Sequence, residues 1–132
     1  MALKIELGLG QSFIIERNLI RNAGNARSIL LIDGDMKSRI LRGRDVMSDD
    51  AADTPAKKVY LVIQRMMLAE EPAQFLPDYQ VAREMLRVTM PMHHDVLADV
   101  EALVRAGDLY RALRTAKALV QKEAETFQQA AD

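Results

Sequence analysis

The chain has 132 residues, 49% hydrophobic and 28% charged, with only 6 Gly and 4 Pro, a composition that folds into one compact unit or two small ones and excludes a disordered chain. The absence of cysteine excludes a disulfide framework and any thiolate metal site. The net charge of -1 conceals a division, because Met1 to Met47 carries eight basic residues against five acids (+3) and Ser48 to Asp132 carries ten against fourteen (-4).

The first third reads as short strands joined by turns. Leu3, Ile5 and Leu7 alternate with Lys4 and Glu6, the signature of a half-buried strand, and Gly8 and Gly10 break it. A second apolar stretch starts at Phe13-Ile14-Ile15 and is expected to continue to Leu19-Ile20, with turn residues over Arg21-Asn22-Ala23-Gly24-Asn25. Ser28 to Ile32 is β-prone, and Asp33-Gly34 is a hairpin signal because both residues tolerate positive φ. A further strand over Ser38 to Leu41 completes an antiparallel meander or small barrel, which Arg44-Asp45-Val46-Met47 ends.

The polar, acidic segment 48–53 separates this region, residues 1–47, from a helical region, residues 54–132. Asp53 or Thr54 can cap a first helix with Pro55 at its first position, and Val59, Val62, Ile63, Met66 and Met67 follow at helical spacing. A second helix runs from about Asp78 to Thr89 with Val81, Met85 and Val88 as its apolar face, closed by Pro91. A third spans about Asp95 to Ala106, where Leu97, Val100, Leu103 and Val104 form the stripe, Asp95 caps the start and Gly107 the end. Asp108 opens a fourth with Leu109, Leu113, Ala116, Val120 and Phe127, so the Gly107-Asp108 joint implies an antiparallel hairpin. The fold class is therefore α+β: a small antiparallel β-rich subdomain followed by about four helices.

Few residues invite chemistry. Gly8-Leu9-Gly10 lacks the third glycine and the Lys-Ser/Thr pair of a phosphate loop and reads as a turn. Adjacent His93 and His94 project in different directions with no third ligand at a recognisable spacing, and the aspartates at 33, 35, 49 and 50 sit where Asp is favoured locally. The reading is a binding protein, not an enzyme, with no cofactor and no metal. The charged start Met1-Ala2-Leu3-Lys4-Ile5-Glu6 and the lack of any run of about 18 apolar residues predict no membrane association and, with the missing cysteine, a reducing cytoplasm. Seven of the eight early cations fall between Arg17 and Arg44, which suits a polyanionic partner.

The chain resembles the FlbT family of flagellar biosynthesis regulators of flagellated alphaproteobacteria. Leu3-Lys4-Ile5-Glu6-Leu7, Leu30-Leu31-Ile32-Asp33-Gly34-Asp35, Asp53-Thr54-Pro55-Ala56-Lys57-Lys58-Val59-Tyr60-Leu61 and Gly107-Asp108-Leu109-Tyr110-Arg111-Ala112-Leu113 carry the likeness, and the Asp-Thr-Pro-Ala-Lys block is the most specific. It implies a post-transcriptional regulator that associates with the 5′ untranslated region of flagellin mRNA and controls its translation and decay. The N-terminal third is also similar to the carbon storage regulator family of translational repressors, with Gly10-Gln11 on that family's Gly-Glu turn, although Leu7-Gly8 stands where that family has two successive arginines. Those repressors are intertwined β-sheet dimers that bind RNA along basic edge strands.

On this reading Arg39, Arg42 and Arg44 contact phosphate or splayed bases, while Arg17, Arg21, Arg27 and Lys37 supply further attraction. Phe13 is the only aromatic residue of the basic third, so recognition rests on arginine and backbone groups more than on rings. The alternative is an adaptor or chaperone in which the helical region, rich in Met, holds flagellin or another flagellar regulator. A homodimer is consistent with either, because a short β-rich segment gains by closing its edge strands against a second copy.

Overall fold

The computed structural model describes residues 2–16, 18–33 and 40–131. It divides into two compact units, Met1–Val46 and Met47–Asp132, and is an α+β protein with five strands followed by four α-helices among the described residues.

In the first unit the alternation read from the sequence is realised in β1 (Ala2–Leu7), which pairs antiparallel with β4 (Ser28–Asp33) from Ala2 opposite Asp33 to Leu7 opposite Ser28. The second sheet has β2 (Ser12–Ile15) at its centre, flanked by β3 (Asn18–Arg21) and β5 (Ile40–Arg42), both antiparallel. The stretch expected to run on from Phe13 to Ile20 instead turns back at Glu16, whose φ of 56° reverses the chain into β3. Nor is the order a simple meander. Gly34 lies outside the described residues, and the strands on either side of the Asp33-Gly34 turn signal pair elsewhere, β4 with β1 and β5 with β2.

The two ladders share one small core, in which Ile5, Leu7 and Phe13 are buried and Leu3, Ile15, Leu30, Ile32 and Ile40 pack around them. Asn22 fastens its edge. Its side-chain amide donates to the Leu7 and Ala26 carbonyls at 3.1 and 2.9 Å and its oxygen accepts from the Gly24 N–H at 3.0 Å, so a buried polar group is satisfied entirely by backbone.

The second unit is a bundle of α1 (Pro55–Leu68), α2 (Leu76–Thr89), α3 (His94–Arg105) and α4 (Leu109–Ala131). Thr54 is the N-cap of α1, accepting from the Lys57 N–H at 3.4 Å, with Pro55 at the first helical position. Its apolar face packs against both α2 and α4, and α3 folds back on α4 through Gly107 at φ 78°. A contact that no local pattern announces closes the start of α1: Glu123 of α4 is 1% exposed, accepts from the Ala56 N–H at 2.8 Å and receives the Thr54 hydroxyl. The acidic stretch before α1 is bound to it, because the Gln64 side chain exchanges two hydrogen bonds with the Met47 backbone, at 2.7 and 3.0 Å, and Arg65 pairs with Asp49 at 2.9 Å.

α2 does not bury Val81, Met85 and Val88; its core face is Tyr79, Ala82 and Leu86, and the anticipated stripe faces outward. α3 begins at His94 with His93 as its cap and no side-chain capping bond, so Asp95 lies in the first turn and pairs with His94 at 2.9 Å. Among the described residues no helix is long and apolar enough to cross a membrane.

Candidate nucleic-acid interface

Pleating decides which charges of the first unit meet. On β1 the side chains of Leu3, Ile5 and Leu7 turn inward, so Lys4 and Glu6 stand on the opposite face, in register with Leu31 and Ile29 of β4. On the second sheet Arg42 is paired with Phe13 and therefore shares its face. Phe13 is 2% exposed and belongs to the core, whereas Arg42 extends to solvent.

Between β1, the turn after it and the end of β5 lies a cleft of about 280 Å³ whose lining includes Glu6, Gln11, Ser12, Arg42, Gly43 and Arg44. A recess of about 340 Å³ is lined by Lys4, Glu6, Gln11, Arg27 and Arg42, so the two adjoin through Glu6, Gln11 and Arg42. Each is near the lower end of the range for small-ligand pockets, roughly 300–1,000 Å³, large enough for a base or a phosphate group but not for a duplex.

Two glycines shape the cleft. A Cβ on Gly43 would sit 2.8 Å from the Ser12 carbonyl oxygen, so only glycine lets the backbone between Arg42 and Arg44 lie directly on β2. Gly10 has φ 72°, and the tight turn is closed by the Gln11 side-chain oxygen, which accepts from the Gly8 N–H at 2.7 Å, and by the Gly10 N–H, which donates to the Asn22 carbonyl at 3.1 Å.

Among the described residues four cations, Lys4, Arg27, Arg42 and Arg44, line these two adjoining pockets against one carboxylate, Glu6. Glu6 is bridged by Arg27 at 2.5 Å and Lys4 at 3.6 Å. Among the described residues Arg42 and Arg44 have no ion-pair partner, so their guanidinium groups are available to an external anion. A guanidinium offers five N–H donors in one plane, suited to bidentate contact with phosphate and to stacking on a base.

Of the residues anticipated from sequence, Arg42, Arg44 and Arg27 are thus brought to one place. Arg21 is exposed at the end of β3 and lines neither pocket, while Arg17, Lys37 and Arg39 lie outside the described residues. Lys4 and Gln11 were not anticipated as site residues. The alternation along β1 places Lys4 on the polar face, but its nearness to Arg42 depends on two sheets meeting, and the Gly10-Gln11 resemblance marks Gln11 as a turn residue, not as a neighbour of Arg42.

The helical unit contains a second charged cluster. Glu101 of α3 receives the Tyr79 hydroxyl at 2.6 Å and pairs with Arg83 and Arg105, each at 2.8 Å. Burial would raise the Glu101 carboxyl, but the hydrogen bonds from Tyr79, Arg105 and Arg83 outweigh it and hold the group below the usual carboxylate value. Burial and the same carboxylate push the Tyr79 hydroxyl well above the ordinary tyrosine value. The cluster ties α2 to α3, and among the described residues no group of three or more potential metal ligands occurs.

Residues 3–127 match the family model described as flagellar protein FlbT. The chain belongs to the FlbT family. It is 36% identical over 124 residues to the probable flagellum biosynthesis repressor protein FlbT 1 of Bradyrhizobium diazoefficiens, covering 93% of this chain and 83% of that protein. The probable flagellum biosynthesis repressor protein FlbT of Rhodopseudomonas palustris strain TIE-1 is 30% identical over 125 residues, 95% of this chain and 97% of its own length. The flagellum biosynthesis repressor protein FlbT of Caulobacter vibrioides strain ATCC 19089 is 29% identical over 128 residues, 95% and 89% of the two chains. No solved structure matches this FlbT chain significantly.

Proposed function

We propose that this FlbT-family chain is a cytoplasmic post-transcriptional regulator of flagellum biogenesis that binds the 5′ untranslated region of flagellin mRNA in the cleft at Arg42 and Arg44 and thereby controls translation and decay. The observation that carries the reading is the convergence of Lys4, Arg27, Arg42 and Arg44 on two adjoining pockets, with Glu6 the only acid among the described residues that line them. The names of the relatives, repressors of flagellum biosynthesis, support a regulatory rather than a catalytic role.

The chemistry favours a single-stranded RNA. Phe13 is held in the core, so no ring of the basic unit's sequence offers a stacking platform, and bases are read by guanidinium planes and by the exposed backbone beside Gly10 and Gly43. The test is a salt titration of binding to a labelled flagellin leader RNA, with an unrelated RNA of equal length beside it. Leader-selective binding that weakens with salt is expected. Replacing Arg42 and Arg44 together by Glu weakens it at least about tenfold and lowers the salt slope by about 1.4, at roughly 0.7 per phosphate contact. Unchanged affinity in that double variant would remove the cleft as the RNA site.

A further inference from the structure

The helical unit is acidic as a whole, yet its cations are not spread evenly. Between Arg105 and Lys122 stand five cations, Arg105, Arg111, Arg114, Lys117 and Lys122, and a single acid, Asp108. Arg105 is paired with Glu101 at 2.8 Å and Arg111 with Asp108 at 3.4 Å. Arg114 and Lys122 have no ion-pair partner among the described residues, and both are exposed, as is Lys117. The excess of positive charge therefore lies along α4.

Helical pitch sorts α4 into two sides. Ala112, Leu113, Ala116, Leu119 and Glu123 are buried in the bundle. Tyr110, Arg114, Lys117 and Gln121 are all exposed and, at about 100° per residue, fall within about 60° of one another on the opposite side. Tyr110, 51% exposed, stands one turn before Arg114, so an accessible ring and a guanidinium are neighbours on the surface. After Asp108 the next exposed acid is Glu125, because the Glu123 carboxylate is turned to the start of α1.

We propose that this face of α4 is a second contact for single-stranded RNA, with Arg114, Lys117 and Lys122 on phosphates and Tyr110 under an unstacked base. The inference rests on the reading of the chain as an RNA-binding regulator, and it supplies what the arginine cleft lacks, a ring open to solvent. Charge complementarity selects a polyanion: from Arg111 to Lys122 the helix carries four cations and no exposed acid over about 16 Å of its axis. The ring selects nucleic acid among polyanions, since every base has a face that stacks on an aromatic side chain beside a cation. A membrane surface fits less well, because an interfacial helix inserts an apolar side and that side of α4 is already buried.

The experiment is binding of the full chain to labelled flagellin leader RNA over a salt series, with circular dichroism to confirm that each variant is folded. Joint Arg114→Ala and Lys117→Ala leaves the helix intact, since both positions are exposed and Ala is the best helix former. This pair is expected to weaken binding at least about fivefold and to lower the salt slope by about 1.4, at roughly 0.7 per phosphate contact. Tyr110→Ala should weaken binding at least about fivefold as well, whereas Tyr110→Phe, which keeps the ring, should stay within about twofold of the native chain. Full affinity with an unaltered slope in the Arg114 and Lys117 variant would overturn the proposal, and so would a Tyr110→Phe variant as weak as Tyr110→Ala. If joint Arg42→Glu and Arg44→Glu weakens binding while the α4 variants do not, the cleft stands and only the α4 face falls; a native chain that binds no RNA removes both. An Arg114 and Lys117 variant that keeps RNA affinity but loses binding to vesicles of equimolar phosphatidylcholine and phosphatidylserine would assign the face to a membrane and overturn the proposal.

Discussion

The two units use their apolar residues differently. In the β unit, among the described residues, only Ile5, Leu7, Phe13 and Leu41 are buried apolar side chains, and Ile29 and Leu31 remain exposed beside Lys4 and Glu6. In the helical unit α1 alone buries Val59, Leu61, Val62, Ile63, Met66 and Met67 among others, and α4 adds Leu113, Ala116 and Leu119. At about 1.5–3 kcal/mol for each large side chain taken from water, the bundle holds most of the hydrophobic stabilisation. The units divide the labour: the bundle supplies stability, and the thin sheets supply a cleft lined by arginine, glycine and short polar side chains.

Removing the one large side chain at the centre of the thinner core is the most severe test of this contrast. Phe13→Ala should cost about 3–5 kcal/mol and abolish hydrogen-exchange protection in β1, β2 and β5 while α1 and α4 stay protected. Simultaneous loss in both units would show that they are one cooperative structure. Next in size is Glu123→Ala, which leaves the Ala56 N–H and the Thr54 hydroxyl without their buried acceptor and should lower urea stability by about 2–3 kcal/mol, read from the helical signal.

A smaller effect follows from Glu101. Its carboxyl is held below the usual value in the folded chain, so its contribution to stability is present above the unfolded value and is lost as pH falls through the folded one. Glu101→Gln should therefore flatten the loss of stability between pH 7 and pH 3, by on the order of 1 kcal/mol or less because water still reaches the pair. Urea midpoints at the two pH values measure it, and an unaltered difference would exclude the cluster as a source of acid sensitivity. The smallest effect sharpens the RNA proposal. β3 and β5 flank β2, which puts Arg21 about 10 Å from the end of β5. At physiological salt, where charges are screened over about 8 Å, Arg21→Glu should weaken RNA binding less than about threefold. A loss equal to that of Arg42→Glu would extend the interface across the whole sheet.

Local signals were legible where the physics is local. Thr54-Pro55 starts α1 because a cap and a fixed φ act within one turn, and Gly107 ends the α3 segment because a left-handed residue needs no distant support. The α2 face was misread because the helix offers two apolar sides, Val81-Met85-Val88 and Tyr79-Ala82-Leu86, and periodicity alone cannot say which of them meets α1. The turn at Glu16 escaped notice because no Asn-Gly pair marks it. Of the cleft, the arginines were visible as a cluster of charge along the chain, but Lys4 and Gln11 join Arg42 only once β1 and β5 are brought together.

The strand alternation of β1, the helix boundaries near Pro55 and Gly107, the α+β class and the concentration of cations before Met47 follow from the order of residues alone, since each is set by neighbours a few residues apart. That β1 pairs with β4 and β2 with β5, that Glu123 closes the start of α1 from 67 residues away, and that Val81, Met85 and Val88 face outward emerge on packing. The reason is physical. Register, long-range capping and the choice between two apolar faces depend on which surfaces bury one another, and that competition is resolved only when the whole chain packs.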